Sequence, residues 1–338
     1  MTGAPAEVLD LESFRFRGLH PLVHLGTASD RYAGWLGQIY SPERFAARVT
    51  RRSKTIAGRS FVEEVLPVAC VAEYFEHFPV LELDYTFYGP LLDTAGRPTG
   101  TLRTLAAYRR HLPGGARLLL KAPQAVSAQK LRRGGSFVPN PGYLDAQLFT
   151  DRFLQPAAEL LGEALAGVIL EQEYQRKAER ILPERLAEDW DRFFASVPAD
   201  GRFHLELRTE SYLAPAVFAV LEKHGVGQVL SHWTWLPPLE HQFELGGRRF
   251  LNRGGEAVVR LMTPRGVRYE DAYAAAHPFD RLVPGMLDPG MLAGAAGLMH
   301  EAAGKGRRLN VIVNNRAGGN APLIARALAR RFLGLEEA

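Results

Sequence analysis

The sequence predicts an α/β fold, a TIM-like (β/α)8 barrel that forms a single domain with loop insertions. Eight apolar runs alternate with segments of helical periodicity, and eight strand–helix units are the number that closes a parallel barrel. Several of these runs end in charge, as at Glu82 and Glu171, which indicates a polar floor where the carboxyl ends of the strands meet. An open doubly wound sheet is disfavoured because no GxGxxG turn follows the first strand.

The predicted elements follow one another in a regular order after a polar start. Residues 1–20 are expected to form a loose N-terminal segment, and the barrel domain is expected to cover 21–335. The predicted strands are the short apolar runs at 23–27, 80–87, 117–122, 168–174, 203–208, 227–233, 257–262 and 309–315. The predicted helices show apolar residues at helical spacing, at 62–78, 101–111, 152–166, 184–195, 214–224, 289–303 and 321–333. The stretches 130–142 and 234–256 are predicted to be irregular insertions because they contain clustered Gly, Pro or Arg.

The composition is that of an ordinary globular protein with enough apolar material for a large core. Hydrophobic residues make up 46% of the 338 residues and charged residues 23%. The formal net charge of +4 permits a polyanionic partner without indicating one. The densest basic stretch, from Arg48 to Arg59, is interpreted as a solvated loop, with binding of nucleic acid or of an anionic substrate as the alternative.

The cysteine content and the lengths of the apolar runs indicate the cellular compartment. The single cysteine, Cys70, excludes an intramolecular disulfide and a cysteine-based metal cluster, and its apolar surroundings predict a buried thiol. No apolar run of 18 residues and no early apolar segment of the secretory type is present. The sequence therefore predicts a cytoplasmic protein that does not span a membrane.

Three residues at the predicted strand ends are candidates for catalysis. Glu171 and Glu206 each end an apolar run, where burial would raise the pKa of the carboxyl and suit it to general acid or base chemistry. Lys121 follows three leucines, so desolvation would lower the pKa of its amine and suit it to amine chemistry. The alternative is a lysine that forms an ion pair with a glutamate.

A second set of residues is predicted to bind an anionic substrate at the mouth. Guanidinium groups grip carboxylates and phosphates in a bidentate manner, and the segment after the eighth strand combines Gly318-Gly319 with a predicted N-cap, as anion sites at helix N-termini do. Turn chemistry alone, or internal ion pairs among the floor charges, are the alternatives. The predicted substrate-binding residues are Trp35, Asp84, Tyr88, Arg208, Arg260, Asn314, Asn315, Arg316 and Asn320.

The sequence requires no cofactor, although a divalent metal is possible. An oxygen-rich set would favour magnesium or manganese over zinc, and no HxH or HExxH spacing appears. His232, between Ser231 and Trp233, is interpreted as a packed histidine, with metal ligation as the alternative. If a metal were bound, its ligands would come from Glu82, Asp84, Glu171, Glu206 and His232.

Several short motifs occur together in an order that is known from one family. They are Gly26-Thr27-Ala28, Glu82-Leu83-Asp84-Tyr85-Thr86-Phe87-Tyr88, Lys121-Ala122-Pro123, Glu206-Leu207-Arg208 and Asn314-Asn315-Arg316-Ala317-Gly318-Gly319-Asn320. This set resembles the YecE-like family, also described as domain of unknown function 72, over about residues 23–333. The resemblance implies a TIM-barrel-like fold and no particular activity.

The chain departs from the pattern of that family at three places. The first loop of the family usually reads Gly-Thr-Ser-Gly-Trp, whereas Ser29-Asp30 stands here in place of Gly-Trp. Asp84-Tyr85 replaces Asn-Ser in the second motif, and Arg316 stands where the eighth-strand motif usually carries an acid. These departures predict a divergent member with a different ligand or an altered activity.

The leading functional hypothesis is an enzyme, a hydrolase or a lyase, that uses acid–base chemistry on a small anionic substrate, phosphorylated or nucleotide-like, at the carboxyl-end mouth. The alternatives are a divalent-metal phosphoesterase or nuclease, and a non-catalytic protein that binds a ligand or nucleic acid. The expected partner is a small anionic molecule, a nucleic acid is possible but not indicated, and no oligomeric state is predicted.

Overall fold

The computed structural model describes residues 6–335 (for Arg133, the backbone alone) and contains a closed barrel of parallel strands. The strands are β1 Val23–Ala28, β2 Val80–Leu83, β3 Arg117–Lys121, β4 Leu165–Gln172, β5 Phe203–Leu207, β6 Gly227–His232, β7 Glu256–Leu261 and β8 Arg308–Val313. Each strand pairs with its neighbour in the sequence, and β8 closes the barrel against β1. The predicted (β/α)8 architecture is therefore confirmed.

Helices surround the barrel, one main helix following each strand. They are α1 Val71–His77, α2 Gly100–His111, α3 Gln155–Leu161, α4 Pro183–Ser196, α5 Pro215–His224, α6 Leu239–Leu245, α7 Pro289–Gly304 and α8 Ala321–Phe332. The loops add the shorter helices Pro42–Phe45, Gln124–Ser127 and Ala146–Phe149, a π-helical turn at Thr150–Leu154 and the helix Tyr269–Ala276. The main core lies between the helices and the outer face of the barrel, where Trp190 of α4, for example, is fully buried.

The barrel interior is apolar in its middle and charged above it. Because side chains alternate along a strand, Val80 and Glu82 of β2 point inward, as do Ile169 and Glu171 of β4. The apolar layer contains Ala28, Val80, Leu119, Ile169, Val229, Val258 and Ile312. A polar layer therefore begins one side-chain level closer to the carboxyl ends, as the charge-terminated runs predict.

The prediction of a helix over 62–78 is wrong for its first half. The segment from Arg48 to Arg59 is largely solvent-exposed as predicted, but most of it forms a strand and not a loop. Strand Thr50–Ile56 pairs antiparallel with Arg59–Val65, and the two form a roof hairpin over the barrel mouth. The two-residue turn between them, Ala57-Gly58, has positive φ at both positions, as tight hairpins require. Alternation turns Ile56 and Phe61 toward the aromatic loop before α7, together with Lys54 and Glu63, whereas Arg51 and Glu64 lie on the outward face.

Other boundaries differ from the sequence prediction in smaller ways. β2 ends at Leu83, and Asp84–Tyr88 form a 3-10 turn in which Thr86 donates to the Lys121 carbonyl at 2.7 Å. The insertion at 130–142 contains a second hairpin, Lys130–Arg133 with Ser136–Pro139, and the irregular stretch 234–256 contains α6.

The described part of the N-terminal segment is packed against the barrel, which corrects the expectation of a loose start. Leu9–Asp10 pairs with Arg15–Phe16, and Phe16 is fully buried. Arg17 donates to the Phe75 carbonyl at 3.2 Å. Residues 1–5 lie outside the described residues. Within 6–335, no helix combines the length and the apolarity needed to cross a membrane.

Candidate functional site

A buried ion network forms the floor of the barrel mouth. Arg260 on β7 donates two hydrogen bonds to the Glu82 carboxylate on β2, at 2.7 and 2.6 Å, and a third to Glu206 on β5 at 2.5 Å. The three side chains are at most 1% exposed. They meet because each points inward from its strand at the same level of the barrel.

The network continues toward the other side of the mouth. Arg208 contacts Glu206 at 3.1 Å and Glu171 at 3.0 Å, and Glu171 also accepts a short hydrogen bond from Lys121. Ser231 donates to the second oxygen of Glu206. The carboxylates of Glu82, Glu171 and Glu206 thus face the cations of Lys121, Arg208 and Arg260. The internal ion pairs that stood as an alternative for the floor charges are present.

The electrostatics of the floor correct the predicted roles of Glu171 and Glu206. Burial raises the pKa of both carboxyls, but the neighbouring cations together lower it by a larger amount. The pKa of each carboxyl therefore lies below its ordinary value. For Glu206 the cations are Arg208, Arg260 and Lys121. The lowered pKa favours the ionised form of both glutamates at neutral pH, whereas the sequence predicts a raised pKa.

An open cavity of about 810 Å³ lies beside this floor, over the ends of β8, β1 and β2. The roof hairpin covers it with Arg52, Lys54 and Glu63, and the loop before α7 supplies one wall. Six tyrosines line the cavity: Tyr32, Tyr85, Tyr88, Tyr108, Tyr269 and Tyr273. Its size is that of a site for a small molecule.

Arg316 and Asp84, which carry opposite charges, are two of the charged cavity-lining residues that have no ion-pair partner among the described residues. Arg316, half-buried after β8, holds its guanidinium 4.4 Å from the ring centroid of Tyr269, and its Nε is buried without a hydrogen-bond acceptor. Asp84, half-buried after β2, accepts one hydrogen bond, from the Ser29 hydroxyl at 2.8 Å. Charges left unpaired by the protein at a cavity wall are available to a ligand.

Asp30 is a further acidic group on the cavity wall, and it was not among the residues singled out from the sequence. It is 1% exposed, and its carboxylate accepts a hydrogen bond from Tyr108 at 2.6 Å. Burial raises the pKa of Asp30 to about 6, although the Tyr108 hydrogen bond lowers it in part. Its place after β1 could have been noted in the sequence, because Ser29-Asp30 is one of the departures from the family pattern.

A family model described as a protein of unknown function, DUF72, matches residues 24–337. The chain belongs to the DUF72 family. A DUF72 family protein from Enterococcus faecalis has a TM-score of 0.53 and 14% identity, with 94% of this chain and 99% of that chain covered. A DUF72 family protein from Thermotoga maritima has a TM-score of 0.51 and 15% identity, with 93% and 98% covered. At these identities the likeness concerns the fold, and no curated protein matches the sequence.

In this DUF72 protein the three departures from the family pattern converge on one place. Ser29 and Asp30, Asp84 and Arg316 all line the cavity, and Ser29 is hydrogen-bonded to Asp84. Of the predicted substrate-binding residues, Asp84, Tyr88, Asn314 and Arg316 line the cavity. Tyr88 is 72% exposed, and the Asn314 side chain accepts from the Arg316 backbone N–H at 3.0 Å.

Three other predicted binding residues of the DUF72 protein are buried, and their side chains form hydrogen bonds that connect loops of the mouth. Asn315 accepts hydrogen bonds from the Trp35 indole at 3.2 Å and from the Ala321 N–H at 2.7 Å. Asn320 caps α8, accepting from Leu323 at 2.9 Å. Trp35 and Asn320 are fully buried, so these side chains hold the mouth together and do not line the cavity.

At the start of α8, where the sequence predicts an anion site, side chains of the protein itself accept the hydrogen bonds that an anion would accept. The two N–H groups of α8 that would face an anion are satisfied by the Asn315 and Asn320 side chains. Gly319 has φ of +114°, and a Cβ there would lie 2.3 Å from the Arg281 carbonyl. The Gly318-Gly319 pair therefore serves close approach of a neighbouring loop, not of a ligand.

The five residues named as possible metal ligands do not converge on one point either. Glu82 and Glu206 direct oxygens at Arg260, and His232 points out of the barrel toward Asp288, 3.5 Å from its Nε2, because the neighbouring Ser231 points in. Across residues 6–335 no group of three or more His, Cys, Asp or Glu side chains is placed to hold a metal ion.

Proposed function

We propose that the protein is an enzyme that uses acid–base chemistry on a small anionic substrate bound in the mouth cavity. The observation that carries the proposal is Arg316, a half-buried guanidinium on the cavity wall with no carboxylate partner among the described residues. A guanidinium in this position matches a phosphate or carboxylate. The anion would replace the partner that the protein itself does not supply.

The tyrosine-lined wall supports a substrate with a ring beside its anionic group. Aromatic rings stack on planar or sugar rings, and their hydroxyls offer hydrogen bonds at the rim. This combination agrees with a phosphorylated or nucleotide-like molecule. The volume of about 810 Å³ accommodates a ligand of that size.

Asp30 is the best-placed group for proton exchange in this proposal. Its pKa of about 6 leaves both protonation states populated near neutral pH, which a general acid or base needs. Tyr108, hydrogen-bonded to its carboxylate, fixes the orientation of the group. Glu171, Lys121 and Arg208 then act as a charged floor beside the substrate, and Glu206 and Arg260 hold that floor in place.

Calorimetric titration with ribose 5-phosphate and with AMP tests the binding step. We expect both to bind the wild-type chain and the affinity to fall about ten-fold or more in R316Q, because a charge-assisted hydrogen-bond pair is lost. R249Q is the matched control, since Arg249 is 52% exposed and pairs with Glu222 outside the cavity. Equal binding by R316Q, or no binding by the wild type, would contradict the proposal.

Turnover tests the chemical step. Phosphorus and proton NMR would follow the bound compounds over time with wild type and D30N. We expect conversion by the wild type and loss of most of the rate in D30N with little change in binding. Conversion at the wild-type rate by D30N would remove Asp30 from the proposed role.

The nucleic-acid alternative has less support. Three of the four basic residues of the roof hairpin are compensated by acids on the same hairpin: Arg51 pairs with Glu64, and Arg52 and Lys54 pair with Glu63 at 2.8 and 2.7 Å. The fourth, Arg59, lies 3.9 Å from Asp271. A polyanion would have to compete with these carboxylates. We therefore place the anion-binding function in the cavity.

A further inference from the structure

Asp84 and Arg316 form an unpaired couple of opposite charges in one cavity. They follow β2 and β8, the two strands that flank β1, and both line the same space. They do not form an ion pair with each other, and among the described residues neither has another oppositely charged partner within 4.0 Å. Ser29 holds Asp84 on one side, and the Tyr269 ring holds Arg316 on the other.

Tyr32 and Tyr88 line the same cavity as the two charges. Burial raises the pKa of Tyr32, Asp84 raises it further and Arg316 lowers it. The same two charged groups act on Tyr88. Both tyrosines are therefore within electrostatic reach of Asp84 and of Arg316, in a cavity that both of them line.

The other charged lining groups do not offer a comparable couple. Asp30 is 1% exposed and already accepts a hydrogen bond from Tyr108 at 2.6 Å. Glu63 is saturated by Lys54, Arg52 and Tyr273. Arg31 donates its Nε–H to the Leu66 carbonyl at 2.5 Å. Asp280 lies exposed at the rim.

We propose that the cavity selects a zwitterionic ligand, with its anionic group on Arg316 and a protonated amine on Asp84. A ligand of this class neutralises both half-buried charges at once, whereas a simple anion leaves Asp84 unpaired and a simple cation leaves Arg316 unpaired. The aromatic faces of Tyr32 and Tyr88 add favourable contact with an ammonium group. The inference rests on the proposed function and names the substrate class for the same site.

The same zwitterionic chemistry occurs in amino sugar phosphates and in amino acids, so the test uses one matched pair from each source. The first pair is glucosamine 6-phosphate and glucose 6-phosphate, and the second is β-alanine and propionate. Within each pair the amine is the main difference. The pair that shows the larger preference identifies the source.

Calorimetry on the wild type, D84N, R316Q and D280N measures the preference for the amine. We expect the wild type to bind the amine member of at least one pair about ten-fold more tightly, the scale of a hydrogen bond to a charged group. D84N should lose this preference and keep its affinity for glucose 6-phosphate, R316Q should weaken both phosphates, and D280N should retain the preference. Circular dichroism and thermal midpoints would confirm that each variant is folded.

The outcomes separate this inference from the proposed function. Binding of glucose 6-phosphate that depends on Arg316 but shows no amine preference would overturn the zwitterion inference alone. A preference that persists in D84N would overturn it as well. Absence of binding for all four compounds would contradict both.

Discussion

Arg260 and Glu82 form a bidentate ion pair inside the barrel, with Nε and Nη2 donating to the two carboxylate oxygens at 2.7 and 2.6 Å. Their strands, β7 and β2, are separated by β8 and β1, so the pair reaches across the interior. This ion pair belongs to one of two groups of charged residues at the mouth. Those of the floor are satisfied by one another, whereas Asp84 and Arg316 at the cavity are not.

Removal of Arg260 should strongly destabilise the fold. R260M leaves the Glu82 and Glu206 carboxylates without their shared cation in a fully buried place, and we expect a loss of about 3–5 kcal/mol of unfolding free energy. Urea denaturation monitored by circular dichroism measures it. R249Q, at an exposed ion pair, should change stability by less than about 0.5 kcal/mol. A loss in R260M as small as that of the control would show that the network contributes little.

The strands of the fold could be predicted because buried parallel strands are short apolar runs whose ends are visible as charges. β3 and β5, for example, lie within a residue of their predicted ends. The roof hairpin could not, because Val65, Val68, Ala72 and Phe75 show helical spacing although the chain changes from strand to helix among them. Local periodicity does not reveal that a neighbouring loop offers a surface on which a strand can pack.

The site was predictable only in its location. Lys121, Glu171, Glu206, Arg208 and Arg260 do meet, since alternation fixes the inward face of each strand. The pKa of the glutamates could not be deduced, because burial and nearby cations act in opposite directions and only the distances decide between them. Likewise, sequence does not tell whether a polar residue such as Asn315 faces a ligand or its own loop.

The free energy of unfolding should depend on pH through the protonation of Asp30. Its folded pKa of about 6 lies above its ordinary 3.8, so the folded state holds a proton that the unfolded state has lost between these values. This contribution is fully present below pH 3.8 and is lost as pH rises to about 6. Relative to the wild type, D30N should therefore gain about 2 kcal/mol between pH 4 and pH 7. Urea denaturation at unit pH steps measures the difference, and a constant difference would contradict it.

Loss of the Asn315 side chain should loosen the mouth loops. N315A leaves the buried Trp35 indole and the Ala321 N–H without an acceptor, which should cost about 2–4 kcal/mol. Thermal unfolding would show the loss. A change below about 0.5 kcal/mol, as for an ordinary surface substitution, would mean that these hydrogen bonds do not tie the loops.

Two glycines provide a matched pair for the close approach at the start of α8. G319A should be strongly destabilising, because φ is +114° and the new Cβ would meet the Arg281 carbonyl at 2.3 Å. G297A lies in α7, where no heavy atom is within 4 Å of the new Cβ, and should stabilise by about 0.5–1 kcal/mol through helix propensity. Comparable unfolding midpoints for the two variants would contradict the packing role of Gly319.

The central claim is that the cavity binds an anion at Arg316, and diffraction tests it most directly. Crystals soaked in tungstate, an oxyanion with a strong anomalous signal, would locate the anion without assuming a substrate. We predict an anomalous peak in contact with the Arg316 guanidinium in the wild type and its disappearance in R316Q. A peak at the roof hairpin or elsewhere with none at Arg316, or an unchanged peak in R316Q, would contradict the claim.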